Sequence, residues 1–354
     1  MSVMTPAGDY RESYHADMCI FPTRNSRWAM LVGLALCCAA PLVLDRYALS
    51  LMINIGMLGI AALGLNILVG FTGQISIGHA AFFGFGAFAS AGFADLGVPV
   101  LLAMPLAALA TTAVGLVFGL PAARLKGLYL VIATLAAQFI LEDFFARAQW
   151  FSGGVAGRVT DAPNLFGVAL DTDARYFYVV LLWVVLSFCA VANLVRTRDG
   201  RALIAVRDHY LSAEMMGVDL AYYRTLSFGI ASFFAGLGGA LYAHYLRFVS
   251  VEAFTILFSI QFLAMVIIGG LGSVMGSLLG TCFMVLLPEV VQAVADALQG
   301  GAIDRALKLG SSIAFLREMT IGAAIILFLV FEPEGLARRW RLIKAYWKLY
   351  PYSY

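Results

Sequence analysis

Long apolar stretches separated by short polar connections run through most of the chain. Runs such as 47–70 and 223–245 each supply the roughly 20 apolar helical residues that cross a bilayer core about 30 Å thick. Because apolar positions are continuous along each run, they favour helices over the alternating strands of a membrane barrel. The pattern predicts an all-α, polytopic integral membrane protein with about ten transmembrane helices, near residues 29–45, 47–70, 78–95, 98–120, 127–147, 175–195, 223–246, 254–271, 276–294 and 318–332.

Composition agrees with this prediction. Hydrophobic residues make up 62% of the 354 residues and charged residues 12%, whereas soluble domains are about half apolar and a quarter charged. The predicted spans 78–95 and 276–294 are rich in glycine or small residues, so a re-entrant or broken segment is an alternative for each.

Basic residues predict the orientation, because short cytoplasmic loops are enriched in lysine and arginine. Ten spans place the four basic clusters on the cytoplasmic side, together with both termini. The domain prediction is a cytoplasmic tail at 1–28, a transmembrane domain at 29–332 with a cytoplasmic connection at 196–222, and a basic cytoplasmic tail at 333–354. The clusters are Arg24 and Arg27; Arg124 and Lys126; Arg196, Arg198, Arg201, Arg207 and Arg224; and Arg338, Arg339, Arg341, Lys344 and Lys348.

Motifs for enzymatic chemistry are absent from the sequence. None of the four lysines follows a glycine, so the chain has no GxxxxGK[ST] phosphate loop. It also has no GxSxG or HExxH motif, and its four histidines and five cysteines are dispersed. We therefore predict no catalytic residue, no metal site and no cofactor in this chain. The span centres are nearly free of charge, which argues against a carrier driven by a coupling ion.

Glycines interrupt the apolar pattern between residues 64 and 86. Backbone groups freed at membrane depth are tolerated where they are buried in protein or line a wet cavity. A solute pathway lined by polar side chains is one interpretation of this segment. Close helix packing with hydrogen bonds across helices is the other. The candidate pathway residues are Asn66, Gln74, Ser76 and His79.

The connection at 196–222 has amphipathic character. Leu203, Val206, Tyr210 and Ala213 fall near one face of a helix, with charged residues on the others. Such a helix lies on membrane lipid or docks into a partner protein. Interspersed charges and the adaptable Met215–Met216 pair favour a protein partner.

Two segments resemble the LivM-type permeases of branched-chain amino-acid ABC importers. They are GLNILVGFTGQISIGHAAFFG from Gly64 and the stretch from Gly200-Arg-Ala-Leu through Ala213-Glu-Met-Met-Gly217. The likeness covers roughly residues 40 to 340 and includes FEPEGL from Phe331.

The resemblance implies an ABC importer permease fold in a bacterial inner membrane and half of a transmembrane pathway for branched-chain amino acids (leucine, isoleucine and valine) or a related small solute. The implied partners are a second homologous permease, two cytoplasmic ATPases that bind the ATP, and a periplasmic solute-binding protein; nucleic acid is not among them. The 196–222 connection would be the coupling loop, and its candidate ATPase-coupling residues are Arg207, Asp208, Ala213, Glu214 and Gly217. Two alternatives remain, an autonomous channel or facilitator for a small polar solute and an ABC permease for urea or short amides.

Overall fold

The computed structural model describes residues 24–125, 127–160, 164–165, 168–169, 171–298, 309–332 and 334–349. Helices dominate these ranges, as predicted. Most of the N-terminal tail predicted at 1–28 lies outside the described residues, which begin at residue 24.

The first half of the chain contains five long helices and one short helix. Proline and glycine mark helix starts, because Pro99 precedes the fourth helix and Gly127 precedes the fifth. The helices are α1 (Arg24–Val43), α2 (Arg46–Asn66), α3 (His79–Asp95), α4 (Val100–Ala122), α5 (Leu128–Arg147) and α6 (Gln149–Ser152), with a π-helix at Ile67–Phe71 and a 3-10 turn at Gly154–Ala156.

Three two-residue strands follow, β1 (Arg158–Val159), β2 (Asn164–Leu165) and β3 (Val168–Ala169). The second half is again helical, with one strand and one 3-10 turn between helices. These elements are α7 (Asp173–Leu194), α8 (Arg198–Asp208), α9 (Tyr210–Met215), α10 (Leu220–Leu246), β4 (Phe248–Val249), the 3-10 turn Val251–Phe254, α11 (Ile256–Gly269), α12 (Val274–Leu298), α13 (Leu309–Phe331) and α14 (Leu336–Leu349).

Each predicted span contains a helix, but fewer than ten helices are complete spans. Within the described residues, six helices are long and apolar enough to cross a membrane, or seven if the bent pair formed by 318–331 and 336–346 is one span. The apolar part of α1 is 27–43, and α11 has 14 residues, which at 1.5 Å per residue extend only about 21 Å. The count of about ten was therefore slightly high, while the helical membrane architecture is confirmed.

Helices α2 and α10 form the centre of the bundle and are buried along most of their length. Helix α10 packs against α2, α3 and α4. Glycines make this close approach possible, because a Cβ at Gly239 would overlap the carbonyl of Phe83 and a Cβ at Gly86 would overlap the backbone of Gly236. In each of the four other complete spans fewer than half of the residues are buried, as expected of helices that face lipid or a partner subunit.

Short strands and ion pairs join the connections at one end of the bundle. β1 and β4 are antiparallel, with Arg158 opposite Val249, and β2 pairs with β3. Arg158 also pairs with Asp95, and Arg247 pairs with Asp171 at 3.1 Å. The opposite end carries Arg124, Arg207, Arg224 and α14, and we call it the basic end.

Candidate coupling site and membrane pathway

The glycine-rich segment interrupts the helical bundle at the basic end. Helix α2 ends at Asn66 and passes into the π-helix Ile67–Phe71, which we call the π turn. Residues 72–78 are not helical, and α3 begins at His79. The predicted interruption between the second and third spans is thus confirmed. π-Helical turns are rare and occur frequently at functional sites.

The connection at 196–222 forms two short helices, whereas its sequence pattern predicted one. Thr197 caps α8 by accepting a hydrogen bond from the amide of Gly200 at 3.2 Å. His209 has φ −151° and ψ 81°, outside the helical region, and separates α8 from α9. Asp219 caps α10 by accepting from the amide of Tyr222 at 3.1 Å. We call residues 198–217 the coupling segment.

One side of the coupling segment is buried and the other is exposed. Leu203, Val206 and Ala213 are buried, in agreement with the predicted apolar face, whereas Tyr210 is 37% exposed. Tyr210 directly follows the break at His209, and Ala213, three residues later, is buried again. On the exposed side, Met215 and Met216 are 89% and 86% exposed.

The predicted coupling residues divide between these two sides. Glu214 and Gly217 are exposed beside the two methionines, while Ala213 is buried. Gly217 has φ +87°, in the left-handed region where an L side chain is strained. Asp208 is mostly exposed and pairs with Arg207, its neighbour in sequence, at 2.8 Å.

Arg207 connects the coupling segment to the π turn. Its Nη1 donates a hydrogen bond to the carbonyl oxygen of Gly70 at 2.6 Å. Glycines make room for this side chain, because a Cβ at Gly73 would lie 3.1 Å from its Cγ and a Cβ at Gly272 would lie 2.9 Å from its Nη1. Gly272 has φ +72°, so the backbone at that position also favours glycine. Arg207 therefore lies where the two glycine-rich segments, 64–86 and 269–280, meet.

Asn66 joins the same two segments from inside the bundle. Its Nδ2 donates to the carbonyl oxygen of Ser273 and to Oγ of Ser277, each at 2.8 Å, and its Oδ1 accepts from the amide of Gly272 at 2.9 Å. Asn66 is fully buried. This geometry favours the packing interpretation of Asn66, and a pathway role for it remains a prediction.

Gln74 is held against α10 by its amide nitrogen. Nε2 donates to Oγ of Ser227 at 2.7 Å and to Oγ1 of Thr72 at 3.1 Å. Among the described residues, Oε1 of Gln74 is buried and has no hydrogen-bond partner. Two lone pairs of this amide thus remain available to a further donor. Ser76 is also buried, and its Oγ accepts from the amide of Gly78 at 3.4 Å.

His79 connects α3 to α2 and α11. Its Nε2 is 2.8 Å from the carbonyl oxygen of Ala61, and its ring meets Phe262 edge-on at a centroid distance of 5.4 Å. The four predicted pathway residues thus lie in one segment, but each contacts a different neighbour. Their role in solute passage remains a prediction.

Several polar partners in this region were missed in the sequence analysis. Ser273 and Ser277 bind Asn66, and Ser227 binds Gln74. Gln138 on α5 accepts from the amide of Ala81 at 3.0 Å and donates to the carbonyl oxygen of Phe254 at 2.7 Å. The available signal was a polar residue in an otherwise apolar span, since such residues usually face the bundle interior.

Residues 47–330, which include the π turn, the coupling segment and the Asn66 contacts, match one family. Its description is the permease component of branched-chain amino acid transport systems. The chain belongs to this family. Membership in the branched-chain amino acid permease family makes it a membrane transport component.

Three relatives named LivM are similar to this permease along much of its length. The high-affinity branched-chain amino acid transport system permease protein LivM of Salmonella typhimurium is 28% identical over 343 residues, covering 89% of this chain and 75% of that protein. LivM of Escherichia coli is 27% identical over 342 residues, with the same coverage of 89% and 75%. A probable LivM of Methanocaldococcus jannaschii is 29% identical over 238 residues, 67% of this chain and 68% of that protein. No solved structure matches this permease.

Proposed function

We propose that this chain is one of two homologous permease subunits of an ABC importer and forms half of a pathway for leucine, isoleucine and valine. Two separate cytoplasmic ATPases bind the ATP, and a periplasmic solute-binding protein delivers the amino acid. Support comes from the family match over 47–330 and from relatives named as branched-chain amino acid permeases. The basic end is cytoplasmic in this proposal, and the protein resides in a bacterial inner membrane.

The hydrogen bond from Arg207 to Gly70 is the observation that carries the proposed mechanism. The exposed side of the coupling segment, with Glu214 and Met215, is the docking surface for an ATPase. When the ATPases close on ATP, the coupling segment moves with them. Arg207 then transfers this displacement to the π turn, between α2 and α3. A π turn has a different hydrogen-bond register from the α-helix that precedes it, so it is a place where a span changes its bend.

The pathway begins, in this proposal, where α2 and α3 are interrupted. Gln74 contributes a buried oxygen atom with no described partner, which is able to accept a hydrogen bond from the ammonium group of an amino acid. Asn66, Ser76 and His79 position the surrounding backbone through their hydrogen bonds. The second permease provides the opposite wall, so this chain alone does not form the complete pathway.

Reconstitution tests this proposal against the two alternatives. The chain would be purified with its co-expressed partners and inserted into liposomes, and uptake of radiolabelled leucine, isoleucine and valine would be compared with uptake of urea and acetamide. We expect uptake of branched-chain amino acids that requires ATP and the solute-binding protein. Flux through the isolated chain without ATP would support the facilitator, and preferential uptake of urea or acetamide would support the amide permease.

Glu214→Ala tests the coupling surface in the same vesicles. We expect ATP-dependent uptake to fall while the assembled complex is still recovered. Asp143→Ala is the matched control, because it also removes an exposed carboxylate, but on α5 at the other end of the bundle. Full uptake by the Glu214 variant, or an equal loss in both variants, would contradict the assignment of the coupling segment.

A further inference from the structure

Helix α14 has an apolar side and a basic side. Its sequence, LARRWRLIKAYWKL, contains no acidic residue. Leu336, Trp340 and Ile343 recur at spacings of four and three residues and share one face, with Leu342 and Tyr346 beside them. Arg338, Arg341 and Lys344, spaced by three, form the opposite side.

Leu336, at the start of the apolar side, packs against the bundle, whereas the large apolar residues that follow it are more than half exposed among the residues that the structure describes. Trp340, Leu342, Ile343 and Tyr346 are 51%, 53%, 51% and 59% exposed. Arg339 falls within the apolar arc, but it pairs with Glu332, so its charge is offset there. A solvated helix would present polar residues on this face, and α14 presents two aromatic and two aliphatic side chains instead.

The first turn of α14 fixes the helix at the basic end. A Cβ at Gly270 would lie 2.8 Å from the carbonyl oxygen of Glu334 and 3.1 Å from Cβ of Ala337, which shows how closely the two segments pack. The axis of α14 is bent by 53° from that of the preceding span. This bend turns α14 away from the direction of the span and towards the plane of the membrane surface.

We propose that α14 lies on the cytoplasmic surface of the membrane, with its apolar side in the lipid interface and its basic side against anionic phospholipid headgroups. Five basic and two acidic residues between 332 and 349 give this segment a net charge of +3, complementary to an anionic leaflet. Tryptophan and tyrosine prefer this depth, since one part of each ring is apolar and the other polar. Helices of this composition insert their apolar faces about 5–10 Å into the headgroup boundary.

One observation and one expectation favour lipid over a protein partner. Helix α14 comes directly after the end of α13, where Leu327, Val330 and Phe331 are more than half exposed, so the lipid around α13 reaches the start of α14. A docking face for an ATPase is expected on the coupling segment, which is a different surface. The proposal rests on the membrane-spanning architecture and on the cytoplasmic orientation proposed above for the basic end, and it does not depend on the transported solute.

An environment-sensitive probe tests whether α14 lies in lipid. The fluorophore NBD would be attached at Ile343→Cys in a chain whose five native cysteines are replaced by alanine, and the full-length protein would be placed in nanodiscs. Quenching by aqueous iodide would be measured with phosphatidylcholine alone and with added phosphatidylglycerol. We expect the quenching constant to fall several-fold with phosphatidylglycerol. Raising the ionic strength from about 0.01 M to 1 M, where the Debye length shrinks from about 30 Å to 3 Å, should weaken this protection.

Ala345→Cys is the control position, because residue 345 lies about 160° around the helix from residue 343 and should not enter the lipid. A second variant, Arg341→Gln with Lys344→Gln, should abolish the effect of phosphatidylglycerol at position 343. Equal iodide access in both lipids would overturn the proposal, and so would protection that appears only when ATPase subunits are added. Hydrogen exchange of 336–349 in the unmodified chain gives an independent readout. An isolated helix of 14 residues is marginal in water, so its amides should exchange more slowly with phosphatidylglycerol.

Discussion

Arg207 donates a hydrogen bond to the carbonyl oxygen of Gly70, at 2.6 Å and across 137 positions in the sequence. Arg207 belongs to an exposed segment between two spans, and Gly70 belongs to the π turn that interrupts the second span. The bond thus connects the segment that we propose as the ATPase docking surface with a break in the membrane-spanning bundle. In a power-stroke mechanism this hydrogen bond is a direct link between the two.

Replacing Arg207 with glutamine should uncouple ATP hydrolysis from uptake. The variant loses the charged donor to Gly70, while the buried Leu203 and Val206 keep α8 in place. Coupling free energies of about 1–3 kcal/mol correspond to about 5- to 150-fold, so we expect uptake per ATP hydrolysed to fall by at least about fivefold. Paired measurements of ATPase activity and uptake in proteoliposomes provide this ratio.

Arg201→Gln is the control for Arg207→Gln. Arg201 also belongs to α8, but its Nη1 donates to the carbonyl oxygen of Arg196, within the same connection. We expect its uptake per ATP to equal that of the unmodified protein. If Arg207→Gln also kept the normal ratio, Arg207 would be a packing contact and not part of the coupling route.

Asn66→Ala should mainly lower the free energy of unfolding, with a smaller effect on transport. Asn66 makes three hydrogen bonds to residues 272–277, and such bonds average about 0.6 kcal/mol in membrane proteins, so we expect a loss of about 2 kcal/mol. Unfolding in mixed micelles would measure it. Asn54→Ala is matched, because Asn54 lies in the same helix and makes one local bond, to the carbonyl oxygen of Ser50 at 3.0 Å. Equal stability losses in both variants would show that the contacts to 272–277 contribute little.

The sequence pattern predicted the break around Gly70 but could not distinguish its two interpretations. A polar residue near glycines is compatible with a solute pathway and with helix packing. Which interpretation holds depends on the atoms that contact its side chain in the folded protein. For Asn66 these atoms belong to residues 273 and 277, more than 200 positions away. Periodicity within one segment contains no information about such distant partners. The structure shows that the glycine-rich segments 64–86 and 269–280 touch, through the hydrogen bond from the amide of Gly272 to Oδ1 of Asn66.

Helix lengths and breaks were predicted less well than helix positions. Hydropathy located the apolar run containing α11 but not its short length, because apolar residues on either side of a helix continue the pattern without being helical. In the coupling segment, Leu203, Val206 and Ala213 are buried as predicted, but the helix break at His209 and the exposure of Tyr210 directly after it were not predicted. Hydrophobic periodicity does not predict a helix break that is caused by the backbone conformation of one residue.

Gly239→Ala should prevent close packing of α3 on α10. The new methyl group would overlap the carbonyl of Phe83, which is backbone and cannot rotate away. Overpacking of this kind costs about 1–3 kcal/mol, so we expect a lower yield of folded protein and a lower melting temperature. Size-exclusion profiles of the detergent-solubilised protein, recorded over a temperature series, would measure both.

Gly322→Ala is the matched control, because it is the same substitution in the membrane helix α13, where no described atom lies within 4 Å of the added Cβ. It should leave stability unchanged or raise it slightly, since alanine is the better helix former. A loss as large as that of Gly239→Ala would mean that glycine is needed in these helices for a reason other than contact.

Gln74→Leu separates the pathway role of Gln74 from its packing role. The substitution removes the unpartnered Oε1 together with the donor Nε2. The two hydroxyls that lose this donor keep other partners, since Ser227 donates to the carbonyl oxygen of Arg224 at 2.7 Å and Thr72 donates to that of Leu68 at 2.5 Å.

Replacing a polar group by an apolar one of similar size is nearly neutral when no buried partner is left unpaired, so we expect the stability to change by less than about 1 kcal/mol. Uptake should nevertheless fall, because the amide oxygen that would accept a hydrogen bond from the solute is gone. Melting temperature and uptake measured on the same preparation would separate the two roles. Normal uptake by a stable variant would show that Gln74 has no role in the pathway. Loss of assembly would show that Gln74 acts in helix packing.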